Sequence, residues 1–181
     1  MTRLVVLDTE LTGLDIHTGD RIIAVGLVEI FNRKITGVEK EWLINPEGRA
    51  SHPDAAKVHG ITDESLKAQP VFKDVAQEIL DFIDGDEIVH HCWYDASTDH
   101  SVDEDVTNIE LVRAGFAAIP HTDWLNIKKW AQQVDPVKNG LDNMLDLYKI
   151  DRSSRAQFHG ALVDAKLTAE YYLKIAPKFR P

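Results

Sequence analysis

The segment Leu4-Val5-Val6-Leu7-Asp8-Thr9-Glu10 constrains this chain more than any other. An apolar run ends in two acids that alternate along the backbone. In an extended strand that spacing puts both carboxylates on one face. Like charges so close repel unless a cation sits between them. A divalent metal held by hard oxygen ligands meets that demand. A strand end running into a polar turn, with both acids solvated, would carry the same residues. The metal reading therefore needs further acids and a base from elsewhere in the chain.

The 181 residues suffice for one well-buried domain, and the whole span 1–181 reads as one. A single cysteine, Cys92, excludes an internal disulfide framework and suits a reducing cytosol. The apolar part of the N-terminus is too short for a signal peptide. Ile22–Val28 is too short to span a bilayer, so a cytoplasmic protein without membrane attachment is expected. The formal net charge of −10 argues against gripping long nucleic acid by charge alone. It leaves room for an enzyme whose metals neutralise one or two phosphates locally.

Along the chain, Val5–Asp8, Arg21–Ile30 and Ile35–Ile44 read as three strands with short turns, an antiparallel meander. The second is nearly all apolar and so interior to its sheet. Helices are expected from His52-Pro53-Asp54 to about His59 and over Asp74–Ile83, where Val75, Ile79 and Phe82 recur at helical spacing. Glu87–Cys92 is a short buried strand. Further helices are expected over Val106–Ala114, Asp123–Gln133 (stripe Trp124, Ile127, Trp130), Gly140–Tyr148 and Gly160–Lys174. Strands first, then helices with one more strand, indicate an α/β layered fold.

Two further acids and a histidine stand out. Asp95 follows the strand that ends His90-His91-Cys92. Asp164 sits in an otherwise apolar helical segment, where taken alone it fits an exposed stripe. His159 lies at that helix's entrance, before Gly160. The positive end of the helix dipole disfavours a protonated imidazole there, which suits a general base. A plain surface histidine would occupy the same place. His90, His91, Cys92 and His100 cluster in sequence, yet strand neighbours point to opposite faces and paired zinc-ligand spacing is lacking.

Together, Asp8-x-Glu10, Asp95 and His159-x-x-x-x-Asp164 resemble, in order, the motifs of the DEDDh family of 3′–5′ exonucleases, the DnaQ-like group. The flanks agree: Asp8-Thr9-Glu10-Leu11-Thr12-Gly13-Leu14, Ile88–Asp95 and His159-Gly160-Ala161-Leu162-Val163-Asp164-Ala165. Asn45-Pro46, Val58-His59-Gly60-Ile61-Thr62 and Leu141–Leu145 are similar to connectors of the proofreading epsilon subunits of bacterial DNA polymerase III. The resemblance implies a ribonuclease H-like fold, a mixed five-stranded sheet flanked by helices, with a fifth strand before Asp123. It implies two divalent metals, Mg²⁺ or Mn²⁺. Asp8 would bridge them, Glu10 and Asp164 would complete the nucleophile-side site, Asp95 would serve the second metal, and His159 would take the water's proton. Leu11, Thr12 and His59 would lie against the substrate strand. The implied substrate is the single-stranded 3′ end of DNA, with RNA as the alternative. A DNA polymerase is an implied partner; a tail of the kind through which proofreading subunits often bind theirs is not expected within residues 1–181, and the partner question stays open.

The chain departs from the family pattern at Leu11, where Thr is usual, and at Ala24, where an acid is common. These two motivate the alternative of a weakened binding or assembly module. The segment Ala96–Asp105 is longer and more acidic than usual and reads as a solvated loop. It makes Asp99 and Asp103 alternatives to Asp95 as fourth ligand, although the strand before Asp95 favours Asp95.

Overall fold

The computed structural model describes residues 2–155 and 159–180. Strands β1 (Arg3–Leu11), β2 (Ile22–Phe31) and β3 (Lys34–Leu43) form the antiparallel meander. Helices α1 (Pro53–His59), α2 (Asp63–Leu66) and α3 (Phe72–Ile83) lead to β4 (Glu87–His90), which pairs parallel to β1. Helix α4 (Val102–Ala114) leads to β5 (Trp124–Asn126), parallel to β4. Helices α5 (Lys128–Val134), α6 (Leu141–Leu147) and α7 (Ala161–Phe179) follow. The sheet order is β3-β2-β1-β4-β5, a mixed five-stranded sheet flanked by helices. No helix among the described residues is long and apolar enough to cross a membrane.

Strand β1 lies at the sheet's centre and is buried on both faces, which explains its unbroken apolar run. Val5 and Leu7 belong to the core shared with Val75, Ala76 and Ile79 of α3. Leu4 and Val6 belong to the core shared with Ala165, Ala169 and Tyr172 of α7. By alternation, Asp8 and Glu10 share the α7 face.

The helix expected over Asp123–Gln133 is not continuous. Its first part is β5, with Trp124 and Asn126 opposite Ile88 and His90 of β4. Sheet pairing overrides the helical spacing of Trp124, Ile127 and Trp130, and α5 starts only at Lys128. The fifth strand therefore follows Asp123 rather than preceding it. Helix α4 also begins four residues before the expected Val106. The Ser101 side chain caps it by accepting from the Glu104 N–H. Ser101-Val102-Asp103-Glu104 has the form of a capping box, in which a serine is followed three residues later by a glutamate.

One glycine sets the position of α7. Gly26 of β2 stands opposite Asp8 in the β1–β2 register. A Cβ there would lie 2.3 Å from the Ala161 carbonyl carbon and 2.3 Å from the Leu162 nitrogen. The helix thus rests its first turn directly on the β2 backbone, which brings Asp164 over β1. Gly26→Ala is expected to destabilise the chain by about 3 kcal/mol, because backbone cannot yield as a side-chain tip can. Urea denaturation of the variant measures this. Unchanged stability would show that α7 can lift without cost.

Candidate active site

The site opens where β1 outruns β4. The last paired residues of these two strands are Val6 and Val89, while β1 continues to Leu11. Asp8, Thr9 and Glu10 therefore line the edge of a crevice at the strand's carboxyl end. Asp164, in the first turn of α7, reaches the same place. Ligand oxygens of Asp8, Glu10 and Asp164 all lie within 4.8 Å of one another. The donors are hard carboxylate oxygens, a set that fits a divalent cation such as Mg²⁺ or Mn²⁺.

Asp103, only 4% exposed, enters from α4 and accepts from the Thr9 hydroxyl at 2.6 Å. Its other oxygen lies 3.5 Å from Nδ1 of buried His90. Burial, and then the neighbouring charges of Asp103, Asp164 and Glu10, hold the Asp8 carboxyl well above the ordinary aspartate range. Burial, together with Asp164 and Asp103, pushes Glu10 from 4.5 up to about 8. Carboxyls pushed up by one another are a site short of positive charge.

Asp95 is placed elsewhere. It is exposed, and its carboxylate accepts from the Ser97 N–H at 2.7 Å and the Ser97 hydroxyl at 2.6 Å. These bonds hold its carboxyl below the usual range. The physical cause is a loop interposed between strand and helix. The Asp95 N–H bonds the His100 carbonyl at 2.9 Å, and Tyr94 bridges to Ser101, so residues 95–100 close on themselves. The helix that brings an acid to the site starts only after that loop, and the acid it brings is Asp103. Asp99 is exposed, with φ 67°, and pairs with Lys129 at 2.6 Å. The capping box at Ser101 was the sequence signal that would have placed Asp103 on a helix.

His159 precedes α7, and its N–H bonds the Val58 carbonyl at 3.0 Å, which ties it to the end of α1. Arg155 lies beside it. This guanidinium donates to Asp164 at 2.6 Å, also bonds Asp142, and reaches His159 Nδ1 at 3.0 Å. A guanidinium only donates, so Nδ1 accepts here and the imidazole proton resides on Nε2. The charge of Arg155 also lowers both Asp8 and Glu10, against the larger pushes upward.

The three residues expected against a substrate strand differ in placement. Leu11 is 8% exposed and joins the α3 side of the core. The Thr12 side chain is committed to the scaffold: its hydroxyl donates to Asp20 at 2.9 Å and accepts from the Arg21 N–H at 3.0 Å. His59 is buried, its Nδ1 accepts from the Ile61 N–H, and its Nε2 has no partner among the described residues. His90 and His91 face opposite layers. His90 packs on Trp124, whereas His91 packs on Tyr171 of α7.

A family model described as an exonuclease matches residues 5–172. The chain is 40% identical over 178 residues to the DNA polymerase III subunit epsilon of Pasteurella multocida (strain Pm70), a match that covers 95% of the chain and 67% of that protein. It is 41% identical over 177 residues to the same subunit of Haemophilus influenzae, covering 94% of the chain and 66% of that protein. Among solved structures, the zinc-bound complex of Escherichia coli exonuclease I with single-stranded DNA superposes with a TM-score of 0.79 at 15% identity, over 100% of this chain and 42% of that one. That likeness shows the shared ribonuclease H-like fold. The chain belongs to the exonuclease family and is a 3′–5′ exonuclease, similar to the epsilon subunits of DNA polymerase III.

Proposed function

We propose that this exonuclease removes nucleoside 5′-monophosphates from the 3′ end of a DNA strand, using two Mg²⁺ or Mn²⁺ ions held by Asp8, Glu10, Asp164 and Asp103. The observation that carries this reading is the convergence of buried and half-buried acids at the end of β1 with His159 at the entrance of α7. Bound ions would supply Lewis acidity at the attacking and leaving oxygens of the phosphodiester. Asp8, on the central strand, lies close to both Glu10 and Asp164 and would be the residue that helps to hold both ions. Asp103 takes the place that sequence reading gave to Asp95. Thr9 holds the Asp103 carboxylate in position, so that residue of the first motif serves as a positioning group.

His159 takes the proton of the attacking water. To receive it at Nε2, the ring must carry its other proton on Nδ1, the atom Arg155 now faces. Exposed Trp93 and Leu14 border a groove of about 520 Å³ beside the α4 N-terminus. Trp93 offers an aromatic face on which a base of a single strand can stack. The relatives' name supports a proofreading role beside a DNA polymerase.

End-labelled single-stranded DNA and RNA, incubated with Mg²⁺, Mn²⁺ or EDTA, test the reading. The expected result is stepwise shortening from the 3′ end, faster on DNA and abolished by EDTA. Absence of cleavage with either metal at high enzyme would overturn it and favour a weakened binding module.

A further inference from the structure

Away from the catalytic acids, the fold brings together a second group of metal-ligating side chains, His100, Glu104 and His121. We infer that they form a zinc site, with water at the fourth position, that fastens the loop before α4 and the turn before β5 to the first turn of α4.

The three residues come from separate places. His100 ends the closed loop, Glu104 lies in the first turn of α4, and His121 opens the short turn before β5. Each offers a ligand atom, and all of these lie within 4.8 Å of one another. Both imidazoles turn Nδ1 toward the same oxygen. His121 Nδ1 is 2.7 Å from Glu104 Oε1, and His100 Nδ1 is 3.9 Å from it. Asp105 Oδ1 lies 2.9 Å from His100 Nδ1. Ligand atoms around a tetrahedral zinc with bonds of about 2.0–2.1 Å stand about 3.3 Å apart. The observed separations straddle that value, so small rotations of the two rings suffice.

The charges favour the same conclusion. The Glu104 side chain is 2% exposed, whereas the two imidazoles are 43% and 42% exposed. A carboxylate that deep needs a compensating charge. The rings are stacked nearly parallel, 7° apart with centroids at 4.7 Å, so protonating both would set charge against charge. A divalent ion neutralises Glu104 while leaving both imidazoles neutral. Two nitrogens with carboxylate oxygens suit zinc, whereas the all-oxygen catalytic set suits harder ions. Asp99 lies 3.8 Å from the far nitrogen of His121, beyond hydrogen-bond reach, and is itself paired with Lys129. The half-exposed histidines give an ion its entry path.

Glu104 follows Asp103 directly, so zinc here would also fix the helix turn that presents Asp103; that consequence alone rests on the fourth-ligand role proposed above. The zinc site itself is tested apart from activity. The full chain carrying Asp8→Asn and Asp164→Asn, stripped with EDTA, is titrated with Zn²⁺ and with Co²⁺ in excess Mg²⁺. One equivalent of Zn²⁺ should bind, with a melting temperature several degrees higher at saturation and an intense visible Co²⁺ band of tetrahedral type. Adding His100→Ala or His121→Ala, each at a half-exposed position, should remove the band and weaken zinc about a hundredfold or more. Lack of tight zinc binding in the Asp8→Asn, Asp164→Asn chain would overturn the site. Unchanged zinc affinity in both histidine variants would overturn it equally.

Discussion

Asp103→Asn is expected to lower turnover by about a thousandfold, the scale of several kcal/mol of charge stabilisation lost from a metal site. Asp95→Asn should leave turnover within about twofold, since its carboxylate serves only the Ser97 turn. The contrast follows from where each acid lies. Asp103 is buried against Thr9, and its charge is the largest single push, after burial, on Asp8. Both variants should fold, because Asn keeps the shape and a hydrogen-bonding oxygen. Initial rates on an end-labelled strand, with circular dichroism as the folding check, measure the pair. Full activity in Asp103→Asn, or its loss in Asp95→Asn, would return the fourth-ligand role to Asp95.

The second large effect is on stability. Without metal ions, the chain should become less stable as pH rises from about 6.5 to about 8. Glu10 is raised from 4.5 to about 8, and Asp8 shifts in the same direction. The folded state therefore binds their protons more tightly than the unfolded chain does. Stability from this source is complete below about 4.5 and is lost as pH climbs toward about 8. Buried His91, lowered from 6.5 to about 3, works the other way, but its contribution is complete above about 6.5. Carboxyls held low, such as Asp20 and Glu29, have finished contributing by then as well. Above about 6.5 the crowded acids dominate. Asp8→Asn should flatten this decline and stabilise the metal-free chain near pH 8 by about 1–2 kcal/mol, several degrees at this chain length. Melting curves in EDTA across this range, for parent and variant, give the result. Parallel curves would show that the acids do not repel in the folded chain.

Much of this architecture could be read from the residues, for identifiable reasons. Strand β1 is buried on both faces, so its apolar run is unbroken and its two acids are conspicuous. Helix α7 carries a long apolar stripe, which made Asp164 stand out. What could not be read was short or displaced. Strand β5 has three residues, too few to show alternation, and Trp124 continues the helical spacing of Ile127 and Trp130. The start of α4 was hidden by its own acids, since Asp103, Glu104 and Asp105 look like a solvated run. In the fold they occupy a helix N-terminus, where negative charge is favoured. The expectation at Asp95 rested on sequence adjacency to β4, and an interposed loop removed it from the crevice. The shared position of His100, Glu104 and His121 depends on β5 pairing with β4, so it could not be seen before that strand was known.

Arg155 ties two groups of the acidic crevice to one side chain. The same guanidinium that neutralises Asp164 also occupies the lone pair of His159. In that arrangement Asp164 and His159 share one partner, and the imidazole proton sits on Nε2. A change at this one guanidinium therefore reaches the Asp164 carboxylate and the His159 imidazole together.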